Sequence, residues 1–597
     1  MFKFKFTYVA LTAALSSSFV YADPTTYTHS SGAKVIDIEK PNAAGVSHNM
    51  YREFNVDNNG LILNNSANDL THNTLGNIAK NNNLTTGSAS VILNEVTSNK
   101  SSSLNGFIEV AGQKADVVVA NPNGISCSGC SFINTNNAIL TTGKVELSYT
   151  GAIANYTITG GKLTIGQNGM DATNSYAVLM ADAINLNGIV QAKNATISAG
   201  NFTLDNSTNT ITSAGKSASL KQALIPEYSI DISSLGGVKA NSITMVGNNY
   251  GFGVRNKGVI VANSTLAMTS YGSLINENSI ASNGYLAQMV SAGELKNTGT
   301  IATKNIAIIN SYGKLNNSGT ISNTSQMSVA AAGNLSNSGT IHATNLLSVA
   351  TNGNLNTTYY SWLGSDNQVE VTALGNIDNA GSIRAKNTTV TFGGDTLKVT
   401  GDIMGPTTML VQASKNGSTT SGEITNSGTI SGGNVTVKTN GSLITNYASV
   451  LKATESLTTQ SYWLNNNGGI QGHGATMNIN NTVTNNSGHI KGDTLSVNTY
   501  LDMVNTGTFE TKGNLTINTQ NNGIITNEGT IKAGDTLTLS AKKVVNEKSY
   551  KCGFLNLKTC TDKGTLTANK LILNSSHKYA SNMGGTQNFK ATEINTQ

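Results

Sequence analysis

The stretch Leu315-Asn316-Asn317-Ser318-Gly319-Thr320-Ile321 decides the architecture, because near copies of it recur at an almost constant interval. Its form is apolar-x-Asn-x-x-x-apolar, usually with Gly or Ser in the fifth place. Copies begin at Val254, Leu274, Leu295, Leu315, Leu335, Ile377, Ile424, Ile444, Leu464, Thr484, Met503 and Ile525. Adjacent copies lie 19 to 22 residues apart, apart from two gaps of 42 and 47 that each span about two periods. A second alternating pair follows within a period, as in Met327 and Val329, Leu347 and Val349, or Leu537 and Leu539. Alternation of apolar and polar residues is the period of a strand, and one glycine per period, at Gly293, Gly313, Gly333 and Gly353, marks a turn. Each period therefore reads as two or three short strands. No lone coil of this size buries its apolar side, whereas stacking coils ~4.8 Å apart gives every inward side chain a partner above and below. The fold expected is an all-β parallel β-helix, of about 28 coils if the whole chain is wound.

The asparagine at the third place has its own physics. Asn tolerates the left-handed backbone of a sharp corner, and its amide can bond its counterpart in the next coil. Asn256, Asn276, Asn297, Asn317 and Asn337 would form such a ladder; the alternative is that each satisfies its own turn without stacking. Both readings make the column structural. Less regular coils are legible upstream, at Leu163-Thr164-Ile165, Ile184 to Ile189 and Ala195 to Ser198.

Composition agrees with a solenoid and excludes other classes. Of 597 residues only 12% are charged and 5 are proline, so neither collagen nor a charge-rich disordered chain fits. Net charge is +5, or +3 without Lys3 and Lys5, and the only arginines are Arg52, Arg255 and Arg384. The bidentate side chain that dominates phosphate and base recognition is nearly absent, so no nucleic-acid partner is expected.

Lys3 and Lys5 precede an apolar run from Phe6 to Leu15, then serines and Val20-Tyr21-Ala22, the form of a cleavable leader over residues 1–22. Past it no apolar run approaches ~18 residues, so no transmembrane segment is expected in the mature chain. The cysteines fall as two close pairs, Cys127 with Cys130 and Cys552 with Cys560, as expected of disulfides closed in an oxidising compartment, with buried thiols as the alternative. The pairs are too distant along a solenoid to share a zinc ion.

The segment before the repeats is denser in motifs. It carries Gly45-Val46-Ser47-His48-Asn49-Met50-Tyr51, Gly60-Leu61-Ile62-Leu63-Asn64-Asn65 and Ile92-Leu93-Asn94-Glu95-Val96. Ala115 to Ala120 then leads into Asn121-Pro122-Asn123-Gly124-Ile125 and Cys127-Ser128-Gly129-Cys130. With Asp231 to Val238 and Gly253-Val254-Arg255-Asn256, this closely resembles the secretion domain of the filamentous haemagglutinin and haemolysin family, the exported partners of bacterial two-partner secretion. The resemblance covers roughly residues 30 to 260, and the later repeats resemble the family's haemagglutinin repeats.

That resemblance implies a right-handed β-helix, a secretion domain over 23–265, haemagglutinin repeats over 266–597, and capture by a dedicated outer-membrane β-barrel transporter. It places Asn121, Pro122, Asn123, Gly124, Ile125 and the Cys127/Cys130 pair among elements linked to secretion competence. The chain is short for the family and shows no toxin-type junction Val-Glu-Asn-Asn. A naturally short exoprotein or the front portion of a longer one are both compatible with that.

Parallel β-helices also carry pectin-degrading enzymes, and Gly472-His473-Gly474 matches a short motif of that group. Its partners are missing: there is no Asp-Asp pair and no arginine after Arg384. The other histidines show no metal-ligand spacing, and no cofactor is expected. Lys491-Gly492-Asp493 is a chance tripeptide at a turn. Trp362, Trp463, Tyr359, Tyr360 and Tyr462 are better candidates for sugar or host contacts, or else pack across a loop. The expected function is therefore not catalytic. It is a secreted surface adhesin of a Gram-negative bacterium that meets a host-cell receptor or glycan, with a haemolysin-type cytolysin or the stalk of a contact-dependent inhibition protein as alternatives.

Overall fold

The computed structural model describes residues 23–72, 76–213, 228–412, 422–520, 523–552, 558–575 and 584–596. The leader assigned to residues 1–22 lies outside them. Among the described residues there is no helix, hence none long and apolar enough to cross a membrane. Fifty-five strands join in one hydrogen-bonded network that winds as a parallel β-solenoid of about 21 turns. The count falls below the 28 expected from length because hairpins stand outside the coils and consume chain without adding turns.

Three strand columns run along the axis, so a period holds three strands. In one coil they are Leu315–Asn317, Thr320–Asn323 and Gln326–Ala331, and each pairs in parallel with its counterpart one coil on, at Leu335–Asn337, Thr340–Ala343 and Leu346–Thr351. Leu315, Ile321, Met327 and Val329 point inward and are buried, one layer of a core that continues through the rod. The fifth-place glycine is a steric requirement: a Cβ on Gly319 would lie 2.0 Å from the carbonyl oxygen of Gly299 in the coil below. Only a residue without Cβ lets consecutive corners stack this closely.

From Asn256 to Asn337 the asparagine column is continuous and buried. Asn256 donates its amide to Asn276 Oδ1 at 2.9 Å, and Asn276 to Asn297, Asn297 to Asn317 and Asn317 to Asn337 follow at 2.8 Å each. Each amide also bonds backbone carbonyls; Asn317 reaches Gly319 O at 3.2 Å and Thr340 O at 3.0 Å. The left-handed backbone expected for these residues is absent. Among the described residues the non-glycine residues of positive φ are Asn134, Asn209, Asn305, Tyr360 and Ala448, none of them in the column. The asparagines stay in strand conformation because the amide itself, rather than a kinked backbone, satisfies the corner.

Two coils concealed in the long gaps carry Thr357 and Val399 in place of Asn, on strands that begin at Leu355 and Thr396. The copy placed at Ile444 is one residue out of register. Leu443 is the inward residue, paired with Ile424 and Leu464, and Thr445 occupies the column and donates to Asn466. The turn Asn446 to Ser449 inserts residues after the strand and so produced the misleading Asn446. The column also extends one coil further than expected, with Asn527 donating to buried Asn546 at 2.7 Å.

Before the repeats the coils are thicker. Lys144–Leu147, Ile153–Ile158, Phe202–Asp205 and Thr210–Ser213 form an antiparallel sheet outside the solenoid. Tyr156 and Phe202 of this sheet pack on the outward side chains of Val46, Leu93, Val118 and Met180. The strand Ala115–Ala120 is apolar on both faces because both faces are covered. A second hairpin, Leu70–His72 with Gly76–Ile78, covers Ala33, Val35 and Ile62.

Candidate functional site

The turn Asn121 to Gly124 enters the first column through the strand Ile125–Cys127, which lies in parallel between Ser102–Leu104 and Lys162–Ile165. Asn121 is buried. Its backbone N–H donates to Thr141 O at 2.9 Å, and its side-chain amide donates to Lys100 O and Ser102 Oγ, both at 2.9 Å. Its Oδ1 accepts the Asn123 N–H at 3.0 Å, while its carbonyl accepts the Gly124 N–H at 3.1 Å. Asn123 ties the turn sideways through an Nδ2 bond of 2.7 Å to Ser98 O. Gly124 has φ +111°, and a Cβ there would stand 3.1 Å from Lys162 O. Ile125 is buried in the core, which leaves Pro122 and Asn123 as the exposed tip of a rigid turn.

One strand later Cys127 and Cys130 are joined by a disulfide, with Cα atoms 5.5 Å apart and both residues buried. The bond spans the corner between Ile125–Cys127 and Cys130–Ile133, which the left-handed Gly129 turns. The pairing suggested for Cys552 and Cys560 falls on side chains outside the described residues.

Further along the same column, Asp231 and Arg255 occupy matching outward positions on strands one coil apart. Arg255 donates Nε to Asp231 Oδ1 at 2.9 Å and Nη2 to Oδ2 at 2.8 Å, and its guanidinium lies 4.2 Å from the Tyr228 ring centroid. The hydrogen bonds to Asp231 raise the guanidinium further above its ordinary range, so it is charged at every pH of interest. With Lys162, Asp182 and Asn185 the pair lines a recess of about 560 Å³. Lys162 belongs to the strand that neighbours Ile125, so the exposed turn, the disulfide corner and the charged recess share one side of the solenoid. The motifs that contain Asp231 and Arg255 carry no local sign of their pairing; an arginine on an outward position, in a chain with three, is the available signal. The outer sheet was not expected from the sequence.

The remaining sequence candidates are scattered. His473 is exposed beside Asp493, with its Nδ1 3.3 Å from Lys512 Nζ. Tyr462 and Trp463 are exposed and meet edge to face at 4.2 Å between centroids, as do Tyr359 and Tyr360. Among the described residues no three His, Cys, Asp or Glu side chains are grouped as a metal site would require.

The family model of the TPS secretion domain matches residues 16–277. The chain is 40% identical over 254 residues to a protein named toxin CdiA from Escherichia coli, a match of 42% of this chain and 8% of that protein. It is 35% identical over 276 residues to the filamentous hemagglutinin of Bordetella pertussis, covering 44% of this chain and again 8% of the relative. A tRNA nuclease CdiA from Yersinia mollaretii is 39% identical over 259 residues, 43% of this chain and 8% of that protein. The chain thus matches less than a tenth of the length of these relatives. A crystal structure of a filamentous hemagglutinin secretion domain aligns over 50% of this chain and 97% of its own, at 31% identity and a TM-score of 0.40. Residues 16–277 are thus a TPS secretion domain, and with its β-solenoid this chain is similar to the filamentous haemagglutinin-type exoproteins of two-partner secretion.

Proposed function

We propose that a dedicated outer-membrane β-barrel transporter reads the side of the secretion domain that carries Pro122, Asn123 and the Asp231–Arg255 recess, and that the repeats are displayed outside the cell as an adhesin-type fibre. The periplasm holds no ATP, so each coil that folds outside biases the chain against sliding back. Stacked coils suit this, since each is stabilised by its neighbour as it emerges.

The observation that carries the adhesin reading is an aromatic edge on the repeats. Tyr271, Tyr312, Tyr462 and Tyr500 all stand exposed at the corner after the third strand, with Leu374 between them on the same edge. Large exposed apolar side chains in line along a rod favour contact with another surface. A red-cell assay tests it: clumping without haem release supports an adhesin, and haem release supports a cytolysin.

A second reading is favoured by the relatives named CdiA, several of them nucleases or toxins, whose matches lie in the secretion region. On that reading the coils are the stalk of a toxin-delivery protein. Growth inhibition of neighbouring bacteria by a strain expressing the natural gene, lost when the gene is disrupted, is the outcome that favours it over adhesion.

A further inference from the structure

The outward side of the second strand column carries a trough of about 1190 Å³ between Trp362 and Lys452. It spans five coils, whose strands begin at Trp362, Ser382, Asp402, Thr429 and Val450. Four steps of ~4.8 Å make it about 19 Å long.

The Trp362 end is built. His342, one coil below, stacks on the indole with centroids 4.6 Å apart and an interplanar angle of 29°, and Asp366 holds His342 through a 3.1 Å contact to Nε2. Trp362 itself lines the trough. Gly364 makes room for this arrangement, since a Cβ there would lie 2.2 Å from Trp362 Nε1.

The Trp362 end of the trough is raised by a turn whose form recurs in the coil of Lys452. At Thr358 to Ser361 and again at Asn446 to Ser449 a four-residue turn closes with an N–H···O bond of 3.0 Å, and the serine hydroxyl donates 2.7 Å back to the first residue's carbonyl. Each turn holds a non-glycine residue in the left-handed region, Tyr360 at φ 67° and Ala448 at φ 64°. Each presents a tyrosine to solvent, Tyr360 at 91% and Tyr447 at 89% exposure. Between them the corners are low and glycine-lined, at Gly381, Gly401 and Gly428. Such strain at a non-glycine residue persists only where the surroundings impose it, and strained residues concentrate at binding sites.

We infer that this trough binds a neutral oligosaccharide of hexopyranose units. A pyranose ring presents a face of C–H groups that suits the electron-rich face of an indole, and its hydroxyls both donate and accept. The trough supplies both functions. Arg384 and Lys452 are donors with no side-chain partner among the described residues, and Asp402 and Glu455 are acceptors. Arg384, Lys386 and Lys452 are matched by Asp366, Asp402 and Glu455, a balance suited to an uncharged polyol rather than a sulfated or sialylated chain. This assignment rests on the surface-fibre reading for its setting, and it names the class of ligand that such a fibre would grip.

The test uses the secreted full chain on an array of four- to eight-unit oligosaccharides of glucose, galactose and N-acetylglucosamine, with sialylated and heparin fragments alongside. Neutral chains are expected to bind. Ser382→Tyr, which fills the trough from an outward position, and Arg384→Ala should each weaken binding at least tenfold with an unchanged thermal midpoint. Intrinsic fluorescence in a Trp463→Phe background leaves Trp362 as the sole tryptophan and should shift on binding. Absence of neutral-glycan binding, preference for heparin, or full binding by both variants would overturn the inference. Cell adherence unaffected by Ser382→Tyr would overturn it while leaving the adhesin reading standing. Glycan binding without any adherence would do the reverse.

Discussion

Cys127 and Asn256 occupy the same inward position of one strand column, four coils apart, linked through Ile165, Leu186 and Ile232. Upstream of Asn256 that position is apolar or disulfide-bonded; from Asn256 onward it is an asparagine ladder interrupted at Thr357, Val399 and Thr445. A single solenoid therefore changes its cross-link near the end of the secretion domain. The N-terminal coils are held by a covalent bond and an outer sheet, and the repeats by buried amides.

The ladder predicts a cost for breaking it. Asn317→Ala removes the acceptor of Asn297 and a donor to Asn337, and strips a side-chain donor from the carbonyls of Gly319 and Thr340. Leaving buried polar groups unpaired costs about 1–3 kcal/mol. Asn316→Ala, which loses only a partly exposed bond to Glu294, should cost less than ~0.5 kcal/mol. Denaturant midpoints of the two variants check this, and equal midpoints would show that the column does not stabilise the rod.

The covalent corner predicts thiol behaviour. Cys127 and Cys130 in native secreted protein should resist alkylation until a reductant is added. Replacing both by serine should lower the amount released into the medium. Rapid labelling of both residues in oxidised native protein would contradict the pairing.

Gly124→Ala should destabilise the secretion domain, because its φ of +111° is unfavourable to any side chain and the new Cβ would press on Lys162 O. A penalty of about 1–3 kcal/mol is expected. Limited proteolysis of the isolated variant chain reads it out; wild-type resistance would mean that the turn relaxes freely.

Charge ladders on the distal coils give a pH dependence. Hydrogen bonds from Lys532 and Lys491 hold the Glu510 carboxyl below the usual glutamate range. A carboxyl depressed in the folded state contributes stability that is present above its unfolded value near ~4.3 and is lost as pH falls through the folded one. Wild type should therefore lose more stability than Glu510→Gln on acidification below about pH 4.3, by a small margin because the group is largely solvated. Parallel pH profiles of the two proteins would refute the coupling.

The repeats were legible because each coil solves one packing problem with the same residues: an inward Leu or Ile, a buried Asn and a glycine that admits the coil below. Legibility failed where another residue met the same need. Thr357 bonds Asn379 through its hydroxyl, and Val399 fills the position with apolar volume, so both coils lack the asparagine that marks the others. At Ile444 an inserted turn supplied an asparagine one residue too late. The outer sheet was hidden for a different reason. Tyr156 and Phe202 sit in short apolar strands indistinguishable by pattern from coil strands, and only the two-sided apolar run at Val117 to Val119 hinted at a covering layer. The Asp231–Arg255 pair depends on two strands meeting one coil apart, which no local spacing expresses.

The central claim is that the address for export lies in the secretion domain and not in the repeats. Expressing residues 1 to 265 with the cognate transporter, and measuring the fraction released into the medium, tests it directly. The account predicts release of that fragment at a level near that of the full chain. Retention of the fragment in the periplasm, with release restored only when the distal coils are added back, would contradict it.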